Sequence, residues 1–134
     1  MLDTKSKYSK SGISTQESSI IFEALKLKIE LTEAYLDHEI SLPKLADSMS
    51  FSTNIISQAI NESGGVNFFD FINQYRVERA KLLLETTTLP LSSLPYSAGF
   101  KSKTTFYSTF KRFCQCSPGE YRQKVRQPTQ KGLV

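Results

Sequence analysis

The segment from Ala98 to Arg122, AGFKSKTTFYSTFKRFCQCSPGEYR, limits what this chain can fold into more than any other part of its sequence. It contains a glycine turn, then Ser102 before a stretch with Phe at helical spacing, then Ser117-Pro118 before a third stretch. Serine is a favoured helix N-cap, and proline is tolerated in the first turn of a helix. The spacing therefore predicts short helices joined by tight turns, which is the arrangement of a helix-turn-helix.

The rest of the chain has the same character, and no segment alternates polar and apolar residues long enough to predict a strand. The order of a short helix, a turn and a capped helix occurs twice, with a long helix between. We therefore expect an all-α protein with two helix-turn-helix subdomains joined by a long linking helix and preceded by a long N-terminal helix. The predicted segments are a flexible N-terminal segment (1–13), the N-terminal long helix (14–40), the first helix-turn-helix (41–66), the linking helix (67–88), the second helix-turn-helix and closing helix (89–125), and a flexible tail (126–134).

The N-terminal helix has the clearest start signal. Ser14 and Glu17 form a capping box, which predicts a helix from this point to about His38. Two neighbouring apolar stripes follow, which together make a broad apolar face for core or partner contact. The first stripe is Ile21, Leu25, Ile29, Thr32 and Leu36, and the second is Ile20, Ala24, Leu27, Leu31 and Tyr35.

Basic charge is concentrated in the last third of the chain. Residues 1–40 contain five basic and seven acidic residues, and residues 41–88 contain four and five. Residues 89–134 contain eight basic residues and only Glu120, for a net charge of +7. A block this basic attracts a polyanion. A solvated basic tail is the alternative, because Arg126 and Lys131 lie near the end of the chain.

The cysteines and the single histidine argue against a disulfide or a metal site. Cys114 and Cys116 are too close in sequence for an ordinary disulfide, and with His38 they supply too few ligands for zinc. We expect reduced thiols and no metal or other cofactor. Nothing supports an enzyme, because the sequence has no phosphate loop and no nucleophile beside a base. The absence of a long apolar run or a signal peptide predicts a cytoplasmic chain without membrane contact.

Three stretches together resemble the DNA-binding domain of AraC/XylS-type transcriptional regulators: LPKLADSMSFSTNIISQAIN, FFDFINQYRVERAKLLLETT and AGFKSKTTFYSTFKRFCQCSPGEYR. The most specific part is the pattern G-F-x-S-x-x-x-F-x-x-x-F-K followed by S-P-x-E-Y-R. The resemblance covers residues 42–122 and implies sequence-specific binding of double-stranded DNA, with two recognition helices in successive major-groove segments. The lead-in KYSKSGIS resembles that of sensor-linked members, which implies an upstream sensor or dimerisation region outside this chain.

The resemblance assigns contacts to individual residues. Asn54 and Gln58 have amides that can bind adenine, Lys103 can reach guanine, and Thr104 can contact a thymine methyl. Simple solvation of the polar side chains, or packing of the Tyr107 ring on the surface, is the alternative for each. The base-reading candidates are Thr53, Asn54, Ser57 and Gln58 on the first recognition helix, and Lys103, Thr104, Tyr107 and Ser108 on the second. The phosphate-binding candidates are Lys101, Ser102, Lys111 and Arg112.

The chain departs from the family pattern at four points. Ser50 and Gln115 replace glycines, and a left-handed backbone at Ser50 would cost about 1 kcal/mol. Pro95 stands in a short helix, where it is tolerated only in the first turn. The first recognition helix has no Lys or Arg at all. A second function therefore stays open, in which a helix-turn-helix scaffold serves as a protein-interaction module with weak or no DNA binding.

Overall fold

The computed structural model describes residues 12–126, and within them the chain is all α, without a β-strand. The predicted fold class is therefore confirmed. Most of the predicted flexible segments, 1–13 and 126–134, lies outside the described residues. The helices are α1 (Thr15–Thr32), a 3-10 turn (Ala34–Leu36), α2 (Leu42–Ser48), α3 (Thr53–Gly64), α4 (Phe68–Thr86), α5 (Leu94–Ser97), α6 (Lys103–Cys114) and α7 (Pro118–Val125).

The chain divides into two compact units, one ending at Ile72 and the other beginning at Asn73. Helix α4 contributes its first turn to the first unit and the rest of its length to the second. None of the helices between residues 12 and 126 is both long and apolar enough to cross a membrane.

Helix α1 begins where the capping box predicts it and ends earlier than predicted. The Ser14 hydroxyl accepts from the Glu17 amide at 3.0 Å, and the Glu17 carboxylate accepts from the Ser14 amide at 2.9 Å. The prediction of one helix to His38 is wrong, because Glu33 takes a left-handed conformation with φ of 54°. The chain leaves α1 at Glu33 and continues as the 3-10 turn.

The first unit is built on the packing of α1 against α3. Ile21, Leu25 and Ile29 of the first predicted stripe are buried, whereas Thr32 of that stripe is exposed. Phe22, which lies in neither stripe, is also buried. The buried Ser18 hydroxyl lies 2.9 Å from the hydroxyl of Ser63 in the last turn of α3. The second predicted stripe is not in the core. Its aliphatic side chains Ile20 (67%), Leu27 (56%) and Leu31 (76%) are exposed, and Tyr35 is half-buried.

The second unit has an aromatic core. The rings of Phe100 and Phe106 lie 5.2 Å apart, those of Phe106 and Phe110 5.7 Å apart, and Tyr121 lies edge-on to Phe110 at 5.7 Å. All three Phe side chains are almost completely buried. Pro95 falls in the first turn of α5, where it removes no helical hydrogen bond, so the tolerated arrangement is the one observed.

Besides Glu33, two further residues other than glycine have a left-handed backbone within the described part of the chain. Ser50 ends the turn after α2 with φ of 60°, and Gln115 caps α6 with φ of 64°. The Gln115 amide donates to the Lys111 carbonyl at 2.8 Å, which completes the α6 C-terminus despite the missing glycine. The two departures therefore keep the backbone that glycine would favour and place strain in the turns.

Two arginine side chains hold the C-terminal end of α4, and we call Arg122 and Arg126 together the guanidinium clamp. Arg122 donates to the carbonyls of Leu84, Thr87 and Leu89 at 3.3, 3.1 and 2.8 Å. Arg126 also donates to Leu84, at 3.1 Å, and to Thr87. The carbonyls at a helix C-terminus lack helical partners, so the clamp satisfies groups that α4 leaves open. Arg126, predicted in the flexible tail, is thus a structural residue.

Candidate nucleic-acid interface

Helix α6 separates its side chains into an apolar inner face and a polar outer face. Phe106 and Phe110 are fully buried, and Thr109 is nearly so. The opposite face is exposed and holds the predicted base-reading residues of the second helix-turn-helix. These residues are Lys103, Thr104, Tyr107 and Ser108, and Lys111 lies one turn further on.

Local sequence accounts for this orientation. Ser102 is the N-cap, and its hydroxyl accepts from the Thr105 amide at 3.2 Å, which fixes the first residue of α6. The Phe residues at positions 106 and 110 then direct one face inward, because side chains four residues apart share a helix face. Lys103 and Thr104 are consequently at the exposed N-terminal end of α6, where a helix can enter a groove.

Tyr107 is only partly free. Its side chain is 37% exposed, and its ring lies 5.3 Å from that of Phe106. The Ser108 hydroxyl donates to the Thr105 carbonyl at 3.2 Å, so it is exposed but already bonded. Thr105 is itself exposed in the first turn of α6, and sequence reasoning passed over it. Its hydroxyl accepts from the hydroxyl of the N-cap Ser102 at 3.2 Å, a contact that only the three-dimensional arrangement reveals.

The predicted phosphate-binding residues of the second unit lie at both ends of α6. Lys101 and Lys103 flank the half-buried N-cap Ser102, and Lys111 and Arg112 lie in the last turn. The Arg112 guanidinium lies over the Phe113 ring at 4.7 Å, which orients it along the helix surface. The cations thus surround a polar helix face, an arrangement that suits a phosphate backbone running past both ends of the helix.

The outer face of helix α3 has no Lys or Arg. Ser52 caps it, its hydroxyl accepting from the Ile55 amide at 3.2 Å, so Thr53 and Asn54 form the exposed first turn. Ser57 is half-buried and lies within 3.5 Å of the Asn61 amide nitrogen, which donates to it. Thr53, Asn54 and Ser57 therefore share one accessible end of α3.

Gln58 does not join them. Its side chain is 3% exposed, although its position on the helix predicts an outward direction. The side-chain amide pairs with the main chain of Ile13, donating to its carbonyl at 2.9 Å and accepting from its amide at 3.2 Å. It also donates to the Glu62 carboxylate at 3.1 Å. The prediction that Gln58 reads a base is corrected here, because its amide is buried and already bonded to the main chain of Ile13 and to Glu62.

The cysteines and acidic residues form no metal site within residues 12–126. No group of three or more His, Cys, Asp or Glu side chains there could hold an ion. Cys114 and Cys116 are both half-buried free thiols. Burial raises the pKa of the Cys114 thiol, and the Lys81 ammonium partly opposes that rise, so this thiol is protonated at neutral pH.

Comparison with known proteins agrees with this geometry. A family model described as a helix-turn-helix domain matches residues 45–124. An uncharacterised helix-turn-helix-type transcriptional regulator of Staphylococcus aureus (strain COL) is 34% identical over 90 residues, which are 67% of this chain and 12% of the relative. This chain therefore spans a small part of that relative's length.

Solved structures share the fold. The C-terminal domain of the two-component response regulator yesN from Fusobacterium nucleatum is 33% identical with a TM-score of 0.67, covering 75% of this chain and 95% of that one. The DNA-binding domain of the global transcriptional factor AdpA, solved with a target DNA, is 21% identical with a TM-score of 0.70, covering 81% and 96%. With the motif spacing around α6 and the family match, these findings establish that the chain belongs to the helix-turn-helix family of AraC type.

Proposed function

We propose that this chain binds double-stranded DNA with sequence specificity as the DNA-binding part of a transcription regulator, acts in the cytoplasm, and catalyses no reaction. The observation that carries the proposal is the exposed polar face of α6, bordered by cations at both ends and backed by buried Phe106 and Phe110. A helix with this division fits a major groove about 12 Å wide. The AdpA complex with DNA has the same fold, which supports the proposal.

In the second unit, α6 supplies both anchoring and base contacts. Lys103 lies in the first turn, where its ammonium group can reach the acceptors of guanine, and Thr104 beside it can contact a thymine methyl. Tyr107 and Ser108 extend the reading face by one turn. Lys101, Ser102, Lys111 and Arg112 neutralise or bond phosphates, which fixes the register of α6 on the duplex.

In the first unit, α3 contributes base contacts with little electrostatic attraction. Thr53 and Asn54 are exposed in its first turn, and Ser57 lies one turn further on. The Asn54 amide matches the donor and acceptor pair of adenine. Because α3 has no cation, we propose that most of the affinity comes from the second unit, and that α3 adds specificity in a neighbouring major-groove segment. A sensor or dimerisation region upstream, which the family resemblance implies, stays a prediction.

The proposal is tested by selecting bound duplexes from a random DNA pool. The selected duplex and a scrambled control are then titrated by fluorescence anisotropy at two salt concentrations. We expect a bipartite motif with half-sites about 10 base pairs apart, bound far more tightly than the control. Weak binding that is equal for both duplexes and lost with salt would reject specificity and favour the interaction module.

Single substitutions separate the proposed roles on α6. Lys103→Ala should weaken binding by about 1–3 kcal/mol on the selected duplex and relax specificity at one base pair. Lys111→Ala should weaken binding equally on all sequences and reduce the salt slope by about 1. Lys26→Ala, which removes a cation from α1, is the control and should change neither quantity. An unchanged salt slope for Lys111→Ala would reject its phosphate role.

Two of the side-chain amides of α3, those of Asn54 and Gln58, make a matched pair. Asn54→Ala should weaken binding of the selected duplex without affecting stability, because the side chain is exposed. Gln58→Ala should lower the free energy of unfolding, since it leaves the main-chain groups of Ile13 without their partner. Equal loss of DNA affinity at full stability in both variants would contradict the corrected assignment of Gln58.

A further inference from the structure

Helix α1 has an apolar stripe that nothing covers in the described part of the chain. Ile20, Ala24, Leu27 and Leu31 are all exposed, and three of them are large aliphatic side chains exposed by more than half. Successive members are four, three and four residues apart, which is the spacing of alternating d and a positions in a coiled coil. We call these four residues the outer seam.

The outer seam lies on a different face of α1 from the core residues. At 100° per residue, the buried residues Ile21, Leu25 and Ile29 centre on one side of α1, and the outer seam centres about 130° away around the helix. Because α3 packs against the buried side, a helix placed on the outer seam would leave Thr53 and Asn54 accessible.

We propose that the outer seam pairs with the outer seam of a second copy of this chain, as a short parallel two-stranded coiled coil. With Ile20 and Leu27 at d and Ala24 and Leu31 at a, the seam supplies two heptads of apolar contact. The aliphatic side chains would interdigitate between the two helices. The inference rests on α1 alone and does not depend on DNA binding.

The charges beside the outer seam favour a second copy of this chain as the partner and a parallel orientation of the two helices. Glu23 occupies a g position and Lys28 the e position five residues later, so parallel pairing brings each Glu23 beside Lys28 of the other copy, twice by symmetry. Antiparallel pairing would instead bring Glu23 beside Glu30 of the other copy, and like charges oppose it. Within one copy, Glu23 lies 3.3 Å from the Lys26 ammonium, and Lys28 donates to the Ser48 carbonyl at 3.3 Å. Both contacts are on the surface and are exchanged at little cost.

The pairing is weak in isolation. Four residues per helix cover less than a standard interface of roughly 1,200–2,000 Å², so we expect association only at concentrations of roughly 0.1 mM and above. Two copies held close together would have a higher effective concentration and would pair more readily.

The experiment is sedimentation equilibrium of the chain without DNA, up to about 1 mM, where the pairing expected for an interface of this size is populated. Leu27→Glu places a charge at the centre of the outer seam and should weaken association at least about tenfold. Phe69→Glu is the matched control, because Phe69 is 72% exposed and lies on α4. It should leave association unchanged, and circular dichroism confirms that both variants are folded.

Charge reversal tests the direction of pairing. Glu23→Lys and Lys28→Glu should each weaken self-association, because each replaces two attractive pairs with repulsive ones. A mixture of the two variants should associate more strongly than either alone, since every pair between them is then attractive. The double variant, with both substitutions in one chain, should regain self-association.

Two results would overturn the proposal. A chain that stays monomeric up to 1 mM would show that the outer seam pairs with no second copy, and would leave another partner or the N-terminal segment as its cover. Association that Leu27→Glu and Phe69→Glu weaken equally, or that does not recover in the mixture, would show that a different surface or direction is used.

Discussion

The guanidinium clamp makes a prediction about the stability of the second unit. Arg122→Ala removes three hydrogen bonds to carbonyls in the last turn of α4 and just after it. Arg126→Ala removes bonds to two of the same carbonyls, Leu84 and Thr87, and one to the Glu85 carbonyl. The Leu89 carbonyl is bonded by Arg122 at 2.8 Å and not by Arg126. The two arginines are therefore partly redundant, and their effects should not add.

The magnitude follows from the number of carbonyls that each substitution leaves without a partner. A hydrogen bond from a charged donor contributes about 1.5–3 kcal/mol when buried, and less where water can replace it. Arg122 is half-buried, so Arg122→Ala should lower the free energy of unfolding by about 2 kcal/mol. Arg126 is exposed, and its loss should cost about 1 kcal/mol. The double substitution should cost about 4 kcal/mol, a coupling of about 1 kcal/mol, because Leu84 and Thr87 then lose both donors.

Hydrogen exchange followed by NMR suits this test, because two units need not unfold in one transition. Protection of α6 and α7 amides should fall by the stated free energies, and urea unfolding measured by circular dichroism gives the overall loss. Gln123→Ala is the control on the same helix, since Gln123 is exposed. A loss below about 0.5 kcal/mol for Arg122→Ala, or strict additivity in the double variant, would refute the argument that the clamp holds the end of α4.

Three further predictions concern stability. Ser50→Gly should raise the free energy of unfolding by about 0.5–1 kcal/mol in urea, because the φ of Ser50 is 60°; a loss would show that the serine side chain outweighs the strain. Gly64→Ala should lower thermal stability by roughly 1–3 kcal/mol, since a new Cβ would lie 2.8 Å from the Phe22 ring. Gly119→Ala adds a Cβ that would make only an ordinary contact at 3.5 Å, so it should instead raise thermal stability by about 0.5–1 kcal/mol. A change of stability in the same direction for both glycine variants would contradict the argument from these distances. Burial, and then a hydrogen bond to a carboxylate, raises the pKa of Tyr121 above its usual value. The neutral Tyr121 phenol therefore stabilises the folded chain fully below pH 10. This stabilisation is lost as the pH rises further, because the Tyr121 phenol of the unfolded chain ionises at a lower pH than that of the folded chain. Absorbance titration should show one of the six Tyr ionising late, and Tyr121→Phe should remove that step.

The features best predicted from the sequence are those that depend only on residues close together in the chain. Five serine N-caps of the described helices each bond the amide three residues later, because capping involves only the chain that immediately follows. The prolines at helix starts and the turn at Ser50 could also be predicted, because they too depend only on nearby residues. The serine caps are Ser14, Ser41, Ser52, Ser102 and Ser117.

The burial of Gln58 could not be predicted from the residues around it in the sequence. Its buried neighbours Ile56, Ala59 and Ile60 point to one side of α3, and helical periodicity places Gln58 away from them. The side chain is nevertheless buried, because the main chain at Ile13, 45 residues earlier, covers it. No pattern within α3 encodes that contact, so the sequence could predict the exposed first turn of α3 but not the closure one turn later.

The two apolar stripes of α1 are a second case in which the sequence does not decide which side chains are buried. Periodicity shows that both stripes are apolar, and it cannot decide which one faces the core, because that depends on the shape of α3. The structure resolves this through Ser18 and Gly64, where small groups let the two helices approach closely on one side only. Ile20, Leu27 and Leu31 are therefore exposed within the described residues of the first unit, and they form a more apolar surface than a solvated helix face requires. Core packing accounts for the buried residues of the first stripe, and the proposed pairing with a second copy accounts for the exposed residues of the second.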